Sequence, residues 1–236
     1  MSFHKTPAIS KELFDRIRVV RRDIGNLLFH FTRAPNEPFV EVQLSNGGRL
    51  GMPGSAGAVL RKILHEGRLK GTSTWTYGYN CVCFTEAPIQ EFNSIFSLVE
   101  IAASDKERPR YEPYGIAVTK RWLYRAGGRP VIYDNPLVFE SLPEQYRYRF
   151  VPYDPINGID FTWEREWRIC TENLVLDPKE TLIVVPTSDE AFDLVYEFAN
   201  LEADWDSDED GAPIPTGVYH SPRWLAVSLD LFGYRK

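Results

Sequence analysis

With 236 residues, 43% of them hydrophobic, the chain is long enough to bury a sizeable core and is expected to form one domain over 1–236. Its formal net charge of −6 excludes bulk attraction to nucleic acid, though not a local basic patch, and its three cysteines have neither metal-ligand spacing nor the pattern of a disulfide framework. The absence of a membrane-length apolar stretch and of a signal-peptide core leaves a reducing, cytoplasmic setting with no membrane partner as the expectation.

Residues 2–5 read as a leader. Leu13, Ile17 and Val20 recur at helical spacing behind Ser10, a favourable N-cap, which predicts a helix over 10–22. Residues 26–32 (Asn-Leu-Leu-Phe-His-Phe-Thr) read as the first strand. The Pro-, Gly- and Asn-rich stretch 35–57 reads as a loop with a short hairpin through Val40-Glu41-Val42. Ala56–Glu66 is a predicted helix with Val59, Leu60, Ile63 and Leu64 apolar and Gly67 as its stop. A polar-aromatic loop over 69–79 precedes a short buried strand over 81–85, on which Cys81 and Cys83 share a face. A helix over 88–102, a strand over 114–119 and a turn of helix over 120–125 follow, and Gly127-Gly128 breaks the last of these. Residues 130–133 read as another short strand and 153–160 as a loop.

The segment 162–169 (Thr-Trp-Glu-Arg-Glu-Trp-Arg-Ile) alternates aromatic or β-branched residues with charged ones and reads as a strand. Trp163, Arg165, Trp167 and Ile169 then share one face, and Glu164, Glu166 and Arg168 the other. Carboxylates and a guanidinium on one strand face point to the wall of a cleft. Further on, 181–186 is an apolar strand and 188–199 a helix whose first turn carries Asp189 and Glu190, favourable against the helix dipole. The acidic run 202–210 reads as a solvated loop or tail that would dock a basic partner protein; it lacks the ligand spacing and closing Glu of a calcium loop. Residues 224–231 form the final strand. Short strands mixed with helices in no strict alternation give an α+β class rather than a doubly wound sheet.

No glycine-rich dinucleotide fingerprint, phosphate loop, zinc-binding histidine pair or nucleophile elbow is present, and His4, His30, His65 and His220 are too scattered to predict a metal site. His30 stands apart because it lies on a strand between Phe29 and Phe31. There it is either a satisfied core histidine or the wall of a cavity. The loop 71–79 carries Thr72, Ser73, Thr74, Trp75, Tyr77 and Tyr79. It is either a bland surface loop or a surface that stacks a ring and hydrogen-bonds a ribose or phosphate. Thr85 and Glu86 close their strand at a place where binding groups often sit. Tyr111-Glu112-Pro113-Tyr114-Gly115 has the same polar-aromatic character and also fits a tight turn.

In this order the residues resemble the ADP-ribosyltransferase superfamily. The resemblance rests on Phe29-His30-Phe31-Thr32, the helix closing at Gly67, 72–79, 82–86 and the late Glu164/Glu166 segment, and covers roughly residues 25–185, with 186–236 as a C-terminal extension. It is nearest to bacterial AbiGi-like abortive-infection domains marked by Tyr-Glu-Pro-Tyr-Gly-Ile and Trp-Glu-Arg-Glu-Trp-Arg-Ile, and more distant from the DNA-modifying DarT toxins. The resemblance implies split mixed and antiparallel sheets with flanking helices. It also implies NAD as substrate, transfer to a nucleic-acid or protein acceptor, and a role in phage defence or a toxin system. It makes Glu166 the catalytic carboxylate, Glu164 the second and His30 the partner of a ribose hydroxyl. Phe31, Thr32, Arg33, Thr72, Ser73, Thr74, Tyr77, Tyr79, Thr85 and Tyr114 become the NAD-binding set. Tyr77, Tyr79, Tyr114 and Tyr133 compete to stack on nicotinamide, and Arg33 or Arg168 would meet the pyrophosphate. Two other readings stand beside it. One is a non-enzymatic binding or antitoxin-like module, with the cleft filled and Glu166 paired to Arg168. The other is a metal-dependent hydrolase using Glu86, Glu164 and Glu166.

Overall fold

The computed structural model describes residues 25–43, 47–102, 111–207 and 212–234. The expected leader at 2–5 and helix at 10–22 lie outside them. In chain order the elements are β1 (Leu27–Phe31), β2 (Phe39–Gln43), β3 (Arg49–Pro53), α1 (Ala56–Glu66), β4 (Arg68–Lys70), β5 (Cys81–Phe84), α2 (Ile89–Ala102), β6 (Gly115–Thr119) and α3 (Lys120–Ala126). Then come β7 (Arg129–Pro130), β8 (Ile132–Asp134), α4 (Glu144–Arg147), β9 (Phe150–Pro152), β10 (Trp167–Cys170), β11 (Asn173–Val175), β12 (Thr181–Val185), α5 (Ser188–Glu197), β13 (Asn200–Ser207), β14 (Pro213–Ser221) and β15 (Leu225–Ser228). The class is α+β, as expected.

A four-stranded sheet in the order β1-β6-β12-β15 forms the centre; β12 and β15 are parallel and the other pairs antiparallel. Both of its faces are covered, which is why β6 and β12 read as continuous apolar runs. On one face Leu28, Ile116, Val118, Ile183 and Val185 pack with Leu60 and Leu64 of α1 and with Leu194 and Trp224. On the other, Phe29, Ala117 and Val184 meet Phe92 and Phe96 of α2, Leu229 and Tyr234. Gly115 begins β6 because a Cβ there would lie 2.3 Å from the His30 carbonyl oxygen. The lack of a side chain lets β6 close against the strand that carries His30.

A second sheet, β5-β10-β7, contributes Val82, Phe84, Trp167 and Ile169 to the first core cluster. The two sheets touch through one β-bridge, Phe29 with Thr85, whose backbone bonds are both 2.8 Å. Local caps explain the helix boundaries. Ser55 accepts from Ala58 N and Gly67 takes φ 62° after α1; Thr119 caps α3 and Thr187 caps α5.

Two expectations are corrected. The segment 162–169 is not one strand: Thr162–Glu164 is a 3-10 turn, Arg165 takes the left-handed conformation (φ 46°, ψ 52°), and β10 starts at Trp167. The described part of the acidic run is not a loop. Asn200–Ser207 pairs with Pro213–Ser221 as a long two-stranded ribbon whose register shifts at Asp204/Trp205. Alternating acidic and apolar residues satisfy a pleated ribbon as well as a solvated tail, and only the cross-strand partner decides.

Candidate functional site

β1 and β5 pair at Phe29/Thr85 and nowhere else along their length, so a wedge opens between them beyond that bridge. At the wedge lies a cavity of about 130 Å³ bordered by Phe29, His30, Phe31, Cys83, Phe84, Thr85, Tyr111, Glu164 and Glu166. His30 spans the gap: its Nδ1 lies 2.8 Å from the Cys83 carbonyl oxygen. A carbonyl only accepts, so Nδ1 carries the proton, and the neutral ring presents Nε2 as an acceptor. The bond supplies a donor to a carbonyl on the edge of β5 that no ladder partner reaches. Enclosure by protein lowers the His30 pKa and outweighs the opposing effect of the Cys83 bond. The ring therefore stays neutral where an exposed histidine would begin to charge.

The carboxylates reach the cavity by a route that periodicity does not show. Left-handed Arg165 reverses the chain between them, so Glu164 arrives from the 3-10 turn and Glu166 from the entry to β10. The turn is anchored on its main chain: the Glu164 carbonyl accepts from Thr85 Oγ1 at 2.6 Å and from Glu86 N at 3.1 Å. Glu166 is held at both backbone groups, its N–H by the Tyr133 hydroxyl (2.9 Å) and its carbonyl by Val131 N (2.9 Å). Burial pushes the Tyr133 hydroxyl up to about 12, so it remains a protonated phenol.

Both Glu166 oxygens face one guanidinium. Arg168 Nε donates to Oε1 at 2.8 Å and Nη2 to Oε2 at 3.1 Å, while Nη1 donates to the Tyr148 and Phe150 carbonyls at 3.0 Å each. Burial works against the Arg168 charge, but the bonds and charge of Glu166 win and its pKa is raised. A buried, bidentate pair of this kind fixes carboxylate orientation. Cys83 completes the floor. Burial first, then the charge and hydrogen bond of Glu166, push its thiol far up, so it is no nucleophile.

No protein-family model, no curated protein and no solved structure matches this chain. The site is therefore read from its geometry.

Of the residues singled out from the sequence, His30, Phe31, Thr85, Glu164 and Glu166 come together at the cavity. The others do not line it. Thr32 is buried and donates to the Ala56 and Tyr114 carbonyls (2.9 Å each), tying β1 to α1. Arg33 is exposed. Thr72 pairs with Cys81 at the opposite end of β5, and Ser73, Thr74, Tyr77 and Tyr79 follow it in that loop. Tyr77 stacks on Phe139 with centroids 4.3 Å apart. Tyr114 lies against Gly57, with burial and a hydrogen bond to Glu190 raising its pKa. Arg168, expected at a pyrophosphate, is spent on Glu166 and two carbonyls. Glu86, considered as a metal ligand, takes Lys120 Nζ at 2.5 Å and Trp167 Nε1 at 2.8 Å. Among the described residues no group of three or more His, Cys, Asp or Glu side chains is placed to hold a metal ion.

Phe29, Cys83, Phe84 and Tyr111 line the cavity although sequence reasoning gave them no site role. Tyr111 sits edge-on to Phe31 and to Trp163. Its place at the head of the Tyr111-Glu112-Pro113-Tyr114 segment was the available signal. Trp163 and Arg165 in turn border a second cavity of about 530 Å³ on the other side of the turn, with Ala87, Pro88, Glu91 and Thr162.

Proposed function

We propose that the chain is an NAD-dependent ADP-ribosyltransferase whose reacting centre lies between His30, Glu166 and Glu164, in the setting of phage defence or a toxin system. The observation that carries this reading is the convergence of His30 from β1 and of Glu164 and Glu166 from the segment leading into β10 on one aromatic-walled cavity.

The volume suits a fragment and not a whole dinucleotide. An apolar cavity of roughly 150 Å³ holds one benzene ring, and about 130 Å³ beside Phe29, Phe31, Phe84 and Tyr111 is of that order, room for part of one aromatic ring such as nicotinamide. The rest of the molecule would extend outward, and the cavity beside Trp163 and Arg165 offers volume for it.

The chemistry follows from the residue types. As the C–N bond breaks, its electron pair leaves on neutral nicotinamide and positive charge grows on the ribose. A carboxylate fixed beside the ribose favours that charge. The acceptor's lone pair forms the new bond, and its proton passes to a carboxylate of the site. Glu166, held rigid by Arg168, is the first assignment for the charge-stabilising group and Glu164 the second. Neutral His30, with Nε2 as acceptor, suits a ribose hydroxyl.

The bidentate Glu166–Arg168 pair and the small cavity favour one further reading, a non-enzymatic binding or antitoxin-like module on this architecture. A single experiment separates the two. The protein is incubated with millimolar NAD, with free nicotinamide followed by chromatography and binding by calorimetry. The transferase reading expects slow nicotinamide release. Glu166→Gln should lower it at least 100-fold, in line with the loss of one oriented electrostatic group, while circular dichroism confirms that the variant is folded. Wild-type protein that neither binds nor consumes NAD leaves the binding module as the reading.

A further inference from the structure

In the antiparallel pairing of β5 with β10, Cys81 stands directly opposite Cys170. The main chain of Cys81 bonds the other way, exchanging hydrogen bonds of 2.9 and 3.1 Å with Thr72. The adjacent pair carries the ladder bond between the two strands, from Thr171 N to the Asn80 carbonyl at 2.8 Å. Cys81 and Cys170 are therefore a non-hydrogen-bonded pair, the closely spaced kind, with Cα atoms about 4.5 Å apart. That spacing lies inside the window a disulfide spans, about 4.4–6.8 Å, at its short end. Facing partners project to the same side of a sheet, and the two thiols already share a hydrogen bond.

The two sulfurs have unequal access. Cys170 is exposed and Cys81 is buried beneath it. Cys83 stands opposite Arg168, two pairs along the ladder on the same face, and bonds Glu166 at the cavity, whereas Cys81 faces Cys170 directly.

We propose that Cys81 and Cys170 are a redox modification site, closed to a disulfide by a peroxide and reopened by a thiol reductant. The Cys170 sulfur attacks one peroxide oxygen and becomes a sulfenic acid as the O–O bond breaks and hydroxide leaves. The Cys81 sulfur then forms the S–S bond and displaces the Cys170 hydroxyl, and the Cys81 proton departs with it as water. Two thiols are oxidised, one hydrogen peroxide is reduced, and two waters form. Burial pushes the Cys81 thiol up to about 12, with Cys170 adding to the shift, which leaves the exposed sulfur to react first. The bond would lock β10 to β5 on the sheet face that carries Arg168.

The test uses the native full-length chain and hydrogen peroxide, followed by alkylation in denaturant and mass spectrometry. The proposal expects alkylatable thiols to fall from three to one, a mass loss of two hydrogens, and a linked Cys81–Cys170 peptide with Cys83 still alkylated. Dithiothreitol should restore all three. C83S should still form the link, and C170S, an exposed and structurally mild change, should retain both remaining thiols. Oxidation of Cys170 to a sulfinic acid with Cys81 still alkylatable, or a link between Cys81 and Cys83, overturns it.

Discussion

β5 joins two regions with similar polar-aromatic composition. At its Phe84 end lies the cavity, with Glu164, Glu166, Arg168 and Thr85 all buried. At its Cys81 end lies the loop 72–79, whose one buried hydroxyl, Thr76 Oγ1, donates to the Thr72 and Tyr79 carbonyls, while Thr72, Ser73 and Thr74 are exposed. The loop's Trp75 is 78% exposed. Burying an ion costs several kcal/mol unless it is paired and hydrogen-bonded, whereas exposed hydroxyls and rings cost almost nothing to keep. Buried charge brought together at a gap between strands is therefore the stronger mark of a built site.

The largest effect should come from breaking the charge pair. Arg168→Met leaves Glu166 buried without its guanidinium and orphans two carbonyls, and is expected to cost about 3–5 kcal/mol in urea denaturation. The double variant Glu166→Gln/Arg168→Met should recover part of that loss, because no lone charge remains. A double variant no more stable than Arg168→Met would show that the two carbonyls, and not the pair, dominate.

A smaller loss should follow at the seam between the sheets. Thr85→Val keeps the shape but removes the donor to the Glu164 carbonyl and the acceptor for Ala87 N. Leaving buried backbone groups short of a partner costs about 1–3 kcal/mol each. Glu86 N still reaches the Glu164 carbonyl, so the lower half of that range is expected in the same assay.

What the sequence showed of this seam divides by mechanism. The central strands, α1 with its Gly67 stop, and α5 were legible because local propensity, patterning and tertiary context agree there. The shape of 162–169 was not, because alternation cannot report a left-handed residue, and nothing about arginine announces φ 46° at position 165. Glu164 and Glu166 were nevertheless selected correctly as neighbours of His30, since their charge demanded a common polar place. The hydroxyls and rings of the loop 72–79 were grouped with His30 by composition, but the strand β5 carries them to its other end, away from the cavity. Cys83 was missed because strand register, and not composition, carries it to the cavity, and Tyr111 because it reaches the cavity from the segment ahead of β6.

His30 offers a gentler probe of the same contrast. Its pKa is lowered in the folded state by burial, so between that lowered value and the unfolded value of about 6.5 the unfolded chain binds more protons. The stability this supplies is fully present above about pH 6.5 and is lost as pH falls through the folded value, with a slope of at most about 1.4 kcal/mol per pH unit. His65 is shifted the same way, chiefly by burial, so the informative quantity is the difference between wild type and His30→Gln. Urea denaturation across pH 7.5 to 5 should show a shallower acid-side decline for the variant. Parallel curves would mean that His30 exchanges protons as an exposed ring does.

The smallest effect is expected at the other end of β5. Trp75→Ser should change stability by less than about 0.5 kcal/mol, as surface substitutions away from special contacts do, and should leave NAD handling unaltered. The second half is the part that can break the comparison. If stability holds but nicotinamide release falls several-fold, the exposed indole acts only when ligand is present, and the loop must close toward the cavity during turnover. Tyr77 already meets Phe139 and Phe150, and Arg168 donates to the Phe150 carbonyl, so a short chain of contacts links loop and carboxylate. An unchanged rate would leave that chain as packing, and the cavity end of β5 as the sole reacting region.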